Sequence, residues 1–180
     1  MNYIPPHRIT TNDSAQPNRL FYEDYSVEEQ AVLRQLVTLF KEWHAAFKRL
    51  ADESGQIVGV GGASYRPDGV SFDGFFPGYL NQRKRVLFIG KESRTLCGSN
   101  YIEEIYEAYK VNRIGKLTLN QYAFHRRMFK IAYSIQHRET SFEKIPPASE
   151  LIDSFGTEKL SYALMNISKF SNGAVKDMGR

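Results

Sequence analysis

The feature that most constrains this sequence is Val86-Leu87-Phe88-Ile89-Gly90, a continuous apolar run that passes directly into Lys91-Glu92-Ser93-Arg94. An apolar run without polar alternation is the pattern of a strand covered on both faces, as in the parallel sheets of α/β proteins. In open sheets of that kind, ligands gather beyond the carboxyl ends of the strands. The run therefore predicts a central parallel strand, and the polar tetrapeptide behind it predicts where a functional site belongs.

The rest of the chain supplies partners for such a strand. Ser26 and Glu29 stand at capping-box spacing, and Leu33, Leu36, Val37, Phe40, Trp43, Phe47 and Leu50 follow at three- and four-residue intervals, which predicts a long helix with that face inward and Trp43 in the core. Asn100 with Glu103 opens a second helix carrying Ile102, Ile105, Tyr106 and Tyr109. Asn120 opens a third with Phe124, Met128, Ile131 and Ile135 inward, before Pro146-Pro147 ends the region. A short helical piece around 149–155 leads into residues 160–167, which read as a second buried strand. Strand, helices and strand in that order imply a parallel βαβ crossover, right-handed by the usual rule. The segment from Gly55 to Gly78 holds seven glycines and two prolines. It reads as loop or short hairpin, because it matches neither a dinucleotide fingerprint nor a Walker loop.

A length of 180 residues suits one domain, here residues 21–180 behind an irregular arm at 1–20 that contains Pro5, Pro6 and Pro17. With 42% hydrophobic and 24% charged residues the composition is that of a globular protein, not of a disordered chain. The single cysteine, Cys97, allows no internal disulfide and fits a cytoplasmic location. No stretch approaches the ~18 apolar residues of a membrane span, so no membrane partner is expected. A net charge of +4 and a pI near 9.1 are compatible with a polyanionic partner, held by phosphate attraction and counterion release.

Three stretches together carry a family resemblance. Phe88-Ile89-Gly90-Lys91-Glu92-Ser93-Arg94, preceded by Asp73-Gly74-Phe75-Phe76-Pro77-Gly78-Tyr79 and followed by Ala163-Leu164-Met165-Asn166-Ile167-Ser168-Lys169, resembles the divergent branches of the uracil-DNA glycosylase superfamily. The resemblance covers mainly residues 73–172. It implies a three-layer α/β/α sandwich whose central parallel sheet is short and lacks strands, so that self-association into a homo-oligomer would complete it. It also implies DNA as partner, no cofactor and no metal, since the chemistry needs only water.

By the same resemblance Glu92 is the catalytic carboxylate that orients water, and Asn166 reads the edge of a flipped base. Hydrolysis of an N-glycosidic bond passes through an oxocarbenium-like sugar, which a nearby carboxylate offsets while an amide both donates and accepts on one base edge. Phe88 or Tyr101 would offer a stacking face, and Lys91, Ser93, Arg94 and Lys169 would supply phosphate contacts that repay the cost of base extrusion. The departure from the family is a missing third motif, a His followed by Pro and Ser, which does not occur here. That leaves a non-catalytic binding or assembly module on the same scaffold as the alternative. An unrelated hydrolase with Ser93 as nucleophile is a third reading, although Gly-x-Ser-x-Gly is absent. Each residue also has a plainer role: Glu92 as a loop ion-pair partner, Asn166 as a turn brace, Lys169 as a solvated cation. His125, Arg126, Arg127 and Lys130 form a basic cluster on the third helix that faces either DNA or water.

Overall fold

The computed structural model describes residues 23–54, 57–58, 64–65, 71–92, 100–137 and 141–168; the arm at 1–20 lies outside them. In chain order the elements are α1 (Val27–Ser54), β1 (Ile57–Val58), β2 (Ser64–Tyr65), β3 (Gly74–Phe75), β4 (Leu87–Glu92), α2 (Tyr101–Lys110), α3 (Ala123–Gln136), three 3-10 turns between Phe142 and Ser154, and β5 (Ala163–Ser168).

The capping box predicted for α1 is formed: the Ser26 N–H donates to Glu29 Oε2 at 3.0 Å and the Glu29 N–H to Ser26 Oγ at 3.3 Å. Two orphan donors of the first turn are thereby satisfied. Glu29 does more than cap. Its carboxylate is buried and also accepts the backbone N–H groups of Gly78 at 3.3 Å and Leu80 at 3.0 Å, which fixes the loop after β3 against the helix start. Gly78 turns that loop at φ +77°, a conformation open to glycine and strained for other residues. Asn100 caps α2 as expected, accepting from the Glu103 N–H at 3.2 Å, and Ile102, Ile105, Tyr106 and Tyr109 are all buried.

The strands form a mixed three-stranded sheet in the order β3-β5-β4, with β4 and β5 parallel and β3 antiparallel to β5. The parallel pairing of the two long strands matches the crossover expected from the sequence. Their places differ: β5 is the middle strand, and β4 lies at the sheet edge among the described residues. The apolar run was expected to be covered on both faces, but Phe88 faces the core while Leu87 and Ile89 face away, Ile89 being 60% exposed. Opposite it in register, Met165 and then Ile167 continue the same outward face of β5. Side chains alternate across a sheet, so one covered face produces this split whatever the polarity of the run. The described fold is accordingly α/β, with helices on one face of a small sheet. Residues 160–162 lead into β5 in extended backbone, the Phe76 N–H donating to the Tyr162 carbonyl at 3.1 Å. The glycine-rich segment contains the short hairpin β1–β2, Ile57 opposite Tyr65.

The core is an aromatic cluster. Phe76, Tyr109, Phe129, Phe155 and Tyr162 meet at centroid separations from 4.7 to 6.0 Å, mostly edge to face, the arrangement favoured by ring quadrupoles. This cluster decides how α3 is turned. Its buried residues are His125, Met128, Phe129 and Ala132, whereas Phe124, Ile131 and Ile135, expected inward, are exposed. Asn120 does not cap α3, which begins after Tyr122; its side chain reaches Ser149 instead, donating from Nδ2 to Oγ at 2.6 Å. On α1, Leu33 and Phe40 are buried, while Trp43, assigned to the core by its spacing, is 39% exposed.

Candidate functional site

The two strand ends singled out by the sequence lie side by side. In the parallel ladder Gly90 pairs with Asn166 and Glu92 with Ser168, so β4 and β5 finish side by side at the same end of the sheet. Glu92 is the last residue of β4 and Lys91 beside it is exposed. Ser93, Arg94 and Lys169 lie outside the described residues. Phe88, two residues before Gly90, is half-buried and meets the Tyr162 ring edge-on at 5.1 Å, so part of its surface belongs to the core. Tyr101 is buried in the first turn of α2.

Asn166 is 3% exposed. Its backbone N–H donates to Asp73 Oδ2 at 2.7 Å and its side-chain Nδ2 to Asp73 Oδ1 at 3.2 Å. Both oxygens of one buried carboxylate thus hold a single asparagine. Because a carboxylate accepts but does not donate, this pair also sets the amide orientation, with Nδ2 towards Asp73. The amide oxygen then lies over Gly90, where an added Cβ would come within 2.5 Å of it. A glycine at position 90 is required by that close approach, not by its backbone dihedral. Asp73 belongs to a stretch noted for its resemblance but was assigned no role from the sequence. A lone carboxylate in a glycine-rich loop has no periodicity to mark it, and its value comes only from where the chain carries it.

The basic cluster expected on α3 separates into two kinds of residue. Arg126 and Arg127 are exposed, Arg126 donating to the Asn120 carbonyl at 2.9 Å, and Lys130 sits over the Phe142 ring at 4.6 Å. His125 is instead buried, its Nδ1 2.6 Å from the Tyr109 hydroxyl, which in turn receives the Tyr162 hydroxyl proton at 2.8 Å. Enclosed against a neutral phenol, the imidazole is itself neutral. Burial pushes its pKa from 6.5 down to about 4, so His125 adds no charge to the surface near neutral pH. Burial likewise raises Tyr109 and Tyr162 well above the ordinary phenol range, which keeps the whole chain of groups uncharged.

Among the described residues no three His, Cys, Asp or Glu side chains converge as a metal site would require. No helix among them is long and apolar enough to cross a membrane. No family model, curated protein or solved structure matches this chain.

Proposed function

We propose that the chain is a uracil-DNA glycosylase-like protein that binds nucleic acid or a nucleobase at the carboxyl ends of β4 and β5, with N-glycosidic bond hydrolysis as the reaction served there. The observation that carries this reading is the in-register parallel pairing of Gly90 with Asn166 and Glu92 with Ser168. It brings two of the three resemblance-bearing stretches to one end of the sheet, beyond the strands' carboxyl termini, where ligands of open α/β sheets collect. In this reading Glu92 steers water and offsets charge on the sugar, Asn166 and Phe88 contact the base, and Lys91, Ser93, Arg94 and Lys169 hold phosphates. The three-layer α/β/α sandwich and a cytoplasmic location belong to the same reading. The outward apolar face of Leu87, Ile89, Met165 and Ile167 is what a third layer would cover.

A second reading, a non-catalytic module on the same scaffold, is favoured by one observation. The Asn166 amide nitrogen is already engaged by Asp73 and the residue is nearly enclosed, as a brace between β5 and the segment before β3 requires. Incubating the purified chain at low salt with oligonucleotides carrying uracil or other lesions separates the two, when abasic sites and mobility shifts are scored together. Abasic sites formed by the wild type and abolished by Glu92→Gln support the hydrolase. Shifted mobility without abasic sites supports the module, and neither signal overturns both.

A further inference from the structure

Segments from all three strands of the sheet converge at Asn166. Asp73 comes from the chain leading into β3, Gly90 from β4 and Asn166 itself from β5. Each Asp73 carboxylate oxygen accepts from Asn166, one from its backbone N–H and the other from Nδ2. The amide is thereby locked. Turning it over would set Oδ1 against a carboxylate oxygen now 3.2 Å from Nδ2, one acceptor facing another.

What Asn166 has left to offer is its amide oxygen. No described residue donates to Oδ1, although Asn166 is buried. An enclosed acceptor without a donor is disfavoured, and folded proteins seldom keep one without a use for it. The surroundings of that oxygen are selective as well. The side-chain position that Gly90 leaves empty stands 2.5 Å from Oδ1. Beyond the Asn166 amide, and chain neighbours apart, the nearest atom to that position is the Met165 carbonyl oxygen at 3.8 Å. A second acceptor therefore flanks the first. An N–H group entering there meets opposite polarity, whereas a carbonyl or a bare ring nitrogen meets its own.

We infer, on the basis of the nucleobase reading above, that Asp73 is a specificity-determining residue of the base site: by holding Nδ2 it leaves Asn166 an acceptor only, so the site selects bases that present an N–H on their pairing edge. Asp73 is a positioning residue, since it acts through Asn166. Asp73→Asn undoes the lock. The new side chain keeps its oxygen on the Asn166 backbone N–H, which puts its own amide nitrogen opposite the Asn166 side chain. Asn166 then turns over to accept from it and presents Nδ2 to the ligand.

The test is fluorescence anisotropy of the full chain at low salt with labelled oligonucleotides that carry one base among abasic spacers, on a 2′-fluoro sugar that resists hydrolysis. That base is uracil, cytosine or pyrimidin-2-one. The first two carry an N–H on the pairing edge; the third, no larger, only accepts. Wild type is expected to bind uracil and cytosine at least roughly tenfold tighter than pyrimidin-2-one, and Asp73→Asn to remove or invert that preference. A brace without a part in recognition weakens all three alike. Equal wild-type affinity for the three bases, or a preference unchanged in folded Asp73→Asn, overturns the inference while leaving nucleic-acid binding in place. No binding of any strand overturns the nucleobase reading with it. If Asp73→Asn does not fold, the wild-type ratio decides alone.

Discussion

Asp73 and Asn166 hold each other through two hydrogen bonds in a buried setting, so substitutions there have specific costs. Asp73→Ala removes the acceptor from two enclosed donors and is expected to lower unfolding stability by about 3 kcal/mol, read as a shifted urea midpoint with an unchanged slope. Gly90→Ala would drive a methyl group into the Asn166 amide oxygen, at a cost of about 1–3 kcal/mol. His125 gives a pH dependence whose sign follows from its environment. The unfolded chain binds a proton on this imidazole near 6.5, the folded chain only near about 4. As pH falls through that window the unfolded state binds more proton, so stability contributed by the neutral ring is present above 6.5 and is lost on the way down, by about 3 kcal/mol in full. Denaturation of wild type and His125→Gln at a series of pH values checks this: the variant is expected to be less stable at neutral pH and to lack that portion of the slope.

At the scale of elements, α1 starts where it does because Ser26 and Glu29 cap it, and Glu29 also anchors the loop at Gly78 and Leu80. Glu29→Ala is therefore expected to cost about 3 kcal/mol, more than the ~1 kcal/mol typical of losing a cap alone, with the excess measured against Ser26→Ala. The cap itself was legible from spacing; the second duty was not, since it joins residues 49 and 51 positions apart. α2 was read correctly because cap and apolar face agree. α3 was read a step out of phase. Of the regular stripe Phe124, Met128, Ile131 and Ile135, Met128 is buried as expected, but the aromatic cluster turns the helix towards Phe129 and Ala132 and leaves the other three exposed, and the Tyr109 hydroxyl makes burial of His125 affordable. Periodicity gives the helix; packing gives its rotation. The same holds for β4, whose apolar run marked a strand but not its place at the edge of the sheet.

For the molecule as a whole, the pairing of the two long strands and the coincidence of their carboxyl ends were visible in the order strand, helices, strand, because a parallel pair admits little else. Asp73 was not visible as part of that place, since no pattern in its own neighbourhood predicts which strand it meets. In the proposed reading, the exposed cations Lys91, Arg126 and Arg127 would spread affinity over the end of β4 and over α3. If Lys91 holds a phosphate, Lys91→Ala is expected to reduce the slope of log affinity against log salt by about 1 and to weaken binding uniformly across sequences. The claim on which the account rests is the location of the nucleic-acid contact, and photo-cross-linking tests it most directly. An oligonucleotide carrying a photoreactive uracil, irradiated with the protein and mapped by peptide mass, is predicted to attach within residues 86–94 or 163–172. Attachment confined to Arg126 and Arg127 on α3, or no attachment at low salt, would contradict a site at the carboxyl ends of β4 and β5.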